Sequence, residues 1–218
     1  MRDGAAQNRK RDSCRARIAS APPREVRSVA EDAVIVIVPY RDGWPAEFAS
    51  IAQRLRAAAG DAVVAIHHIG STAVPGLAAK DIIDVQITVA DIGTAARLPL
   101  AAAGFALSPH QTDHCPPGRS LAPEQLEKRL YKLEARPANV HIRVAGRFNQ
   151  RYALLCRDYL RAHRSAADAY GVIKRELARL FPNDADSYYG VKDPVFDLLM
   201  AAAEDWAAGT GWSPPPSD

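Results

Sequence analysis

The chain has 218 residues, of which 48% are apolar and 24% charged, and this composition is typical of a globular protein with one sizeable core. No apolar run reaches the roughly 18 to 20 residues that span a bilayer, so we expect a cytoplasmic protein without a membrane partner. Residues 1–30 hold eight Lys or Arg and three Asp or Glu, whereas the remaining residues hold 20 Lys or Arg and 22 Asp or Glu. A nearly neutral domain lacks the basic surface of a nucleic-acid-binding domain.

The two ends of the chain are polar and lack the periodic apolar pattern of a folded element. Residues 1–32 are rich in arginine without resembling a secretory signal, and residues 213–218 read SPPPSD. We therefore predict a disordered basic tail at 1–32, one folded domain at 33–212 and a disordered end at 213–218. The three cysteines stand at wide spacings that fit neither a disulfide framework nor a zinc knuckle.

Strands and helices alternate in the first half of the predicted domain, and helices dominate the second half. Apolar β-branched runs predict strands, and apolar residues at helical spacing bounded by Pro, Ser or Gly predict helices. In chain order we predict a strand at 33–40, a helix at 45–59, strands at 62–69 and 81–89, a helix at 92–103, a loop at 108–123, strands at 129–134 and 139–144, and helices at 148–163, 165–181 and from about 194 to 212. Strands that feed one mixed sheet covered by helices predict an α+β fold.

A glycine and a serine end one predicted strand and precede another that carries an aspartate, in the stretch HHIGSTAVPGLAAKDIIDVQ. Gly70 lets the backbone turn sharply, and Ser71 together with free N–H groups of the turn can hold a phosphate. On the next strand Asp84 and Gln86 point to the same face, because side chains alternate along a strand. A carboxylate that faces a phosphate-binding turn is suited to Mg²⁺. The stretch predicts a phosphate and metal site, with a structural turn and a buried aspartate as the alternative.

Five motifs of this sequence occur together in one known family. They are HIGSTAVPGLAAKDIID, NVHIRV, RYALLCRDYLRAH, AYGVIKREL and KDPVFDLLMAAAEDW. With them, the chain from Val38 to Trp212 resembles the GrpB family, and its Gly-Ser and Asp motifs are similar to those of the nucleotidyltransferase superfamily, which uses two divalent metal ions. The resemblance implies a nucleotidyltransferase-like mixed β-sheet flanked by helices, with C-terminal helices packed against it. Related domains occur fused behind dephospho-CoA kinase in some bacteria.

The resemblance also assigns roles to single residues. Gly70 and Ser71 match the phosphate-binding pair of the superfamily, and Asp84 matches its first metal-binding carboxylate. Gln86 stands where the second carboxylate is expected, and an amide can coordinate a metal ion but brings no charge.

Several other polar side chains are expected to line the same site. Asn139, His141 and Arg143 share one face of their strand, where a histidine can act as a base and an arginine can clamp a phosphate. His67 and His68 alternate faces, so at most one of them reaches the site. The remaining candidates for phosphate contact are Thr72, Lys80, Arg157, Arg161 and Lys174.

Three functions are compatible with these residues. The leading hypothesis is a nucleotidyltransferase-fold protein that binds a nucleotide or another phosphorylated small molecule between the sheet and the C-terminal helices. It would use Mg²⁺ on Asp84, and Asp84 and His141 are the catalytic candidates. The alternative is a non-catalytic ligand-binding or accessory module, linked for example to coenzyme A biosynthesis, because Gln86 replaces an acid. A third hypothesis is a metal-dependent hydrolase that uses His68 and His141.

Overall fold

A mixed five-stranded sheet with helices on both faces forms the centre of the protein, as seen in a computed structural model that describes residues 34–218. The predicted tail at 1–32 lies outside the described residues. The strands are β1 (Ala65–Ile69), β2 (Ile83–Val89), β3 (Ala106–Leu107), β4 (Arg129–Leu133) and β5 (Ala138–Val144). The helices are α1 (Trp44–Ala59), α2 (Ile92–Arg97), α3 (Phe148–Ala162), α4 (Arg164–Leu180) and α5 (Ala185–Thr210). This architecture confirms the predicted α+β class.

The strand order is β1-β2-β5-β4-β3, and β2 and β5 are parallel whereas the other neighbours are antiparallel. Residues directly opposite each other in neighbouring strands share a face. Asp84 lies opposite Asn139 and Gln86 opposite His141. The register therefore places the polar residues of the two predicted strands on one face of the sheet.

The other face of the sheet is the main hydrophobic core. Val85, Ile87 and Val140 are fully buried there against α1, which contributes Trp44 and Leu55. Helix α1 buries this side because its apolar residues recur at helical spacing. The apolar face thus anchors the strands whose opposite face carries the polar side chains.

The C-terminal helices cover the polar side of the sheet. Helix α3 contacts β1 and β5, and Leu155 and Cys156 of α3 pack against Met200 and Ala203 of α5. The segment that connects β1 to β2 is also held by this layer, in a cluster that includes Leu77. Helices therefore pack against the β1–β2 connection as well as against the sheet.

Two predicted elements differ from the structure in the first half of the domain. The predicted strand at 33–40 is an extended segment with one isolated bridge, between Val38 and Ala79. The predicted helix at 92–103 ends at Arg97, before Pro99, which lacks an N–H to continue the helical hydrogen bonds. The patterns were correct in type for most elements, but tertiary partners decided where they end.

Two predictions about the C-terminal part were wrong. Helix α5 does not begin near Pro194 but at Ala185, capped by Asp184, whose side chain accepts a 3.1 Å hydrogen bond from the N–H of Ser187, and Pro194 lies inside it. Residues 213–218 are not a disordered end, since several of them form hydrogen bonds with β1. Among residues 34–218, no helix combines the length and apolar character needed to cross a bilayer.

Candidate functional site

The backbone of Gly70 lies directly against the side chain of Asp84. Gly70 has φ +69°, and a Cβ added to it would lie 2.9 Å from Asp84 Cβ and 3.0 Å from Asp84 Cγ. No other residue type has room there, and a positive φ disfavours side chains in any case. The structure thus brings the predicted turn and the predicted carboxylate together, immediately before the short 3₁₀ turn Ser71–Ala73.

Asp84 is a partly buried, ionised carboxylate. Its side chain is 29% exposed, accepts a 2.9 Å hydrogen bond from Asn139 Nδ2, and lies 3.9 Å from His141 Nε2. Burial raises the pKa of Asp84, but His141, Asn139 and Lys80 outweigh this effect and leave the pKa below its ordinary value. Asp84 can therefore offer a negative charge to a metal ion or a hydrogen-bond acceptor to a ligand.

His141 is held as a neutral hydrogen-bond donor. Its Nδ1 lies 3.3 Å from Arg143 Nη2. A guanidinium only donates, so Nδ1 accepts and the ring proton is assigned to Nε2, on the side of Asp84. Burial lowers the pKa of His141, and the charge of Arg143 lowers it further. The lone pair of His141 consequently faces Arg143, and the geometry favours stabilisation of Asp84 over proton abstraction.

Gln86 connects the sheet to α3. Its Oε1 accepts a 2.7 Å hydrogen bond from Arg143 Nη1, and its Nε2 donates a 3.1 Å hydrogen bond to the carbonyl of Gln150. The side chain is fully buried, so both ends of the amide need these partners. An acid at this position would lack the donor that Gln150 requires. Gln86 thus has a structural role that accounts for an amide at this position.

A second carboxylate, Asp113, reaches the polar face from the loop between β3 and β4. Arg143 donates to both of its oxygens, at 2.9 and 3.1 Å, and Lys128 Nζ donates at 2.6 Å. Burial raises the pKa of Asp113, but the two cations hold it far below the ordinary value. The sequence offered no signal for this residue, because its turn-rich loop has no periodicity from which a face can be inferred.

His68 lies on the opposite face from Asp84. It is paired with Val85 and stacks on Phe48 of α1 with ring centroids 4.7 Å apart. Its Nε2 is 3.0 Å from Thr72 Oγ1. Burial lowers the pKa of His68 to about 4, so the ring is neutral near pH 7. Strand alternation predicted that His67 and His68 face opposite sides, and the structure places the candidate His68 away from Asp84, in contact with Thr72.

The arginines of α3 bind the β1–β2 region through its carbonyl groups. Arg157 has a side chain that is only 1% exposed, and its Nη1 donates to the carbonyl of His68 at 2.9 Å. Arg161 is 37% exposed and donates through Nε to the carbonyl of Ala73 at 2.9 Å. Arg161 therefore borders the turn with part of its charge accessible, whereas Arg157 is enclosed.

Two lysines hold the remainder of the connecting segment. Lys174 of α4 donates to the carbonyl of Ala78 at 2.5 Å, and burial lowers its pKa to about 7. Lys80 donates to the hydroxyl of Tyr189, and its charge lies 4.6 Å from the centre of that ring. Lys80 also acts electrostatically on Asp84. Lys174 also interacts electrostatically with Asp84 but is buried, so of the two lysines Lys80 is the more accessible to a ligand beside Asp84.

The polar face offers one free carboxylate for a metal ion and not the pair that a two-metal centre needs. Among the residues that the structure describes, no group of three or more His, Cys, Asp or Glu is arranged to hold a metal. Asp113 is already neutralised by two cations, which leaves Asp84 as the available acid of the polar face. Mg²⁺ commonly binds through one or two carboxylates, with phosphates and waters completing its shell. Asp84 alone can supply that protein ligand, whereas a two-metal centre lacks its second carboxylate.

Two surface cavities lie away from these residues. One, of about 420 Å³, is lined by residues of α1, α2 and their neighbours, and the other, of about 410 Å³, lies between β1, the start of α3 and Pro214–Pro215. Neither is lined by Gly70, Ser71 or Asp84. Neither cavity combines a carboxylate with the Gly-Ser turn, so the chemistry favours the turn as the candidate site.

Comparison with known proteins places this geometry in a family. The family described as GrpB protein matches residues 34–202. The solved structure of a conserved GrpB protein from Enterococcus faecalis superimposes with a TM-score of 0.65 at 25% identity, covering 78% of this chain and 99% of that protein. A UPF0157 protein of Halalkalibacterium halodurans is 31% identical over 174 residues, which are 79% of this chain and 84% of that protein.

Other relatives are longer proteins. A dephospho-CoA kinase of Mycolicibacterium paratuberculosis is 39% identical over 199 residues, which are 84% of this chain and 49% of that protein. The chain therefore spans about half the length of the dephospho-CoA kinases that it matches. The match over residues 34–202 and the shared sheet architecture establish the relationship, and the chain belongs to the GrpB family.

Proposed function

We propose that this protein binds a phosphorylated small molecule of the nucleotide class at the Gly70–Ser71 turn, next to Asp84. The observation that carries the proposal is the contact between the Gly70 backbone and the Asp84 carboxylate. A turn that lacks a side chain lets a phosphate approach backbone N–H groups, and a neighbouring ionised acid can hold a cation against that phosphate. Arg161 and Lys80 add positive charge at the border of the turn.

The same site supports ligand binding better than two-metal transfer chemistry. Gln86 is occupied by Arg143 and Gln150, and Asp113 by Arg143 and Lys128. A single Mg²⁺ on Asp84 would supply positive charge against the ligand phosphates. We therefore favour a ligand-binding or accessory module over a nucleotidyltransferase.

The longer relatives suggest which ligands to test first. The chain matches about half of several proteins named dephospho-CoA kinase, so coenzyme A precursors belong in the panel beside nucleoside mono-, di- and triphosphates. Nucleotidyl transfer is the second candidate, favoured by the ionised state of Asp84.

Thermal unfolding and calorimetric titration, with and without Mg²⁺, test the proposal. A ligand at 100 times its Kd adds about 2.7 kcal/mol to the free energy of unfolding. Asp84→Asn should abolish the Mg²⁺-dependent part of this gain, whereas Asp205→Asn, at an exposed position of α5, should leave it unchanged. Absence of stabilisation by every member of the panel would refute the proposal. Turnover of a nucleoside triphosphate that is lost in Asp84→Asn would instead support nucleotidyl transfer.

A further inference from the structure

The last residues of the described chain lie along the outer edge of β1. We call residues 213–218 the strap. Ile66 donates its N–H to Ser217 Oγ at 3.0 Å, the N–H of Asp218 donates to the carbonyl of Ile66 at 3.0 Å, and His68 donates its N–H to Asp218 Oδ2 at 2.8 Å. Because β1 is an end strand of the sheet, these groups would otherwise have no strand partner. The strap therefore satisfies the free edge of the sheet.

The carboxylate of Asp218 occupies a built anion site. Its Oδ2 accepts from Arg157 Nη1 at 2.9 Å as well as from the N–H of His68. The Arg157 side chain is 1% exposed, and its Nε donates to Asp158 at 2.8 Å, which fixes the guanidinium in place. A buried guanidinium and a backbone N–H that converge on one oxygen form a site for an oxyanion.

Apolar contacts hold the strap only weakly. Five of its six residues are exposed, and Pro215 is half-buried. The three consecutive prolines have no N–H and cannot continue a ladder along β1. Polar contacts therefore retain the strap. The contact between the strap and the buried guanidinium of Arg157 is made by Asp218.

Departure of the strap would leave Arg157 and the His68 N–H without the anion that they now bind. Arg157 would keep its ion pair with Asp158, but Arg157 Nη1 and the His68 N–H would lose their anionic acceptor, so the vacated site favours uptake of another anion. Arg161 lies close enough to act electrostatically on both Arg157 and Asp218, which makes the vacated site more positive.

We propose that Asp218 is a tethered internal ligand of an oxyanion site formed by Arg157 and the His68 N–H, and that a phosphate anion takes its place when the strap lifts. The donors belong to the outer edge of β1 and to α3, whereas Asp84 lies on the polar face of the sheet. The donors of this site, Arg157 and the His68 N–H, are therefore distinct from Gly70, Ser71 and Asp84, although Arg161 contributes positive charge near both sites.

Titration of inorganic phosphate by calorimetry tests the proposal. Asp218→Ala vacates the site and should bind phosphate about tenfold more tightly than the unaltered chain, as expected when an internal competitor is removed. Asp205→Ala changes the charge equally at an exposed position of α5 and should bind phosphate like the unaltered chain. Combining Asp218→Ala with Arg157→Gln should remove the gain.

Hydrogen exchange at the His68 amide provides a second measurement that does not depend on the Arg157 variant being folded. The amide should exchange faster in Asp218→Ala than in the unaltered chain, and phosphate should slow it again. Equal phosphate affinity of Asp218→Ala and the unaltered chain would overturn the proposal, as would a gain that survives Arg157→Gln. Failure of nucleotide binding in the Asp84 experiments leaves these outcomes unaffected, so the two proposals can fail separately.

Discussion

Replacement of Gly70 by alanine tests the contact on which the candidate site depends. The backbone of Gly70, at φ +69° and ψ −170°, lies in a region that is essentially restricted to glycine and costs another residue about 1 to 3 kcal/mol. The new Cβ would also lie 2.9 Å from Asp84 Cβ, an atom fixed to strand β2, so Asp84 has to move. Displacing it weakens the hydrogen bond from Asn139, which contributes about 1 kcal/mol. We expect Gly70→Ala to lower the free energy of unfolding by about 3 kcal/mol in urea denaturation.

Gly146→Ala is the matched control. Gly146 has φ +75°, but a Cβ there would meet no heavy atom within 4 Å, so only the backbone cost of about 1 to 2 kcal/mol applies. In an Asp84→Ala background the extra loss of Gly70→Ala over Gly146→Ala should shrink, because the clash with the Asp84 carboxylate has been removed. Equal losses from Gly70→Ala and Gly146→Ala in the unaltered background would refute the packing of Asp84 against Gly70.

Three further predictions concern buried charges. Burial lowers the pKa of His68 from 6.5 to about 4, so between these pH values the unfolded chain binds a proton that the folded chain lacks. The free energy of unfolding should therefore fall by about 3 kcal/mol as pH decreases from 6.5 to 4, and in a pH series of urea unfolding His68→Gln should not show this decrease. Asp113→Asn leaves the buried cations Arg143 and Lys128 without their carboxylate and should lower the free energy of unfolding by about 3 to 5 kcal/mol. Asp168→Asn, in an exposed ion pair, should lower it by less than about 1 kcal/mol, and similar losses for the two variants would argue against the buried network. Burial lowers the pKa of Lys174 to about 7, so stability should rise between pH 7 and 10.5, and a slope that persists in Lys174→Met would contradict this assignment.

The sequence was informative wherever local periodicity reflects a buried face. Alternation along β2 and β5 correctly indicated that Asp84 shares a face with Gln86, and that Asn139 shares one with His141. It also separated His67 from His68. These inferences needed no knowledge of the partners, because side chains of a strand alternate whatever lies opposite.

Contacts between distant segments were beyond such reasoning. Asp113 comes from a loop without periodicity, and its pairing with Arg143 depends on where that loop folds back. The strap was predicted to be disordered because its composition is polar and rich in proline, yet Asp218 binds a buried guanidinium more than sixty residues away. Composition predicts how much apolar surface a segment can bury, not whether a single charged side chain finds a partner.

The sequence by itself determined the α+β class, the family motifs, and the combination of a glycine turn with an aspartate-bearing strand. Only the tertiary structure decided that Gln86 is a connector between sheet and helix, that Arg157 is enclosed, and that Asp84 is the available acid of the polar face. The physical reason is that motifs and periodicity are local properties of the chain. Whether a polar group is free to bind a ligand depends on its hydrogen-bond partners, and here these are supplied by segments remote in sequence.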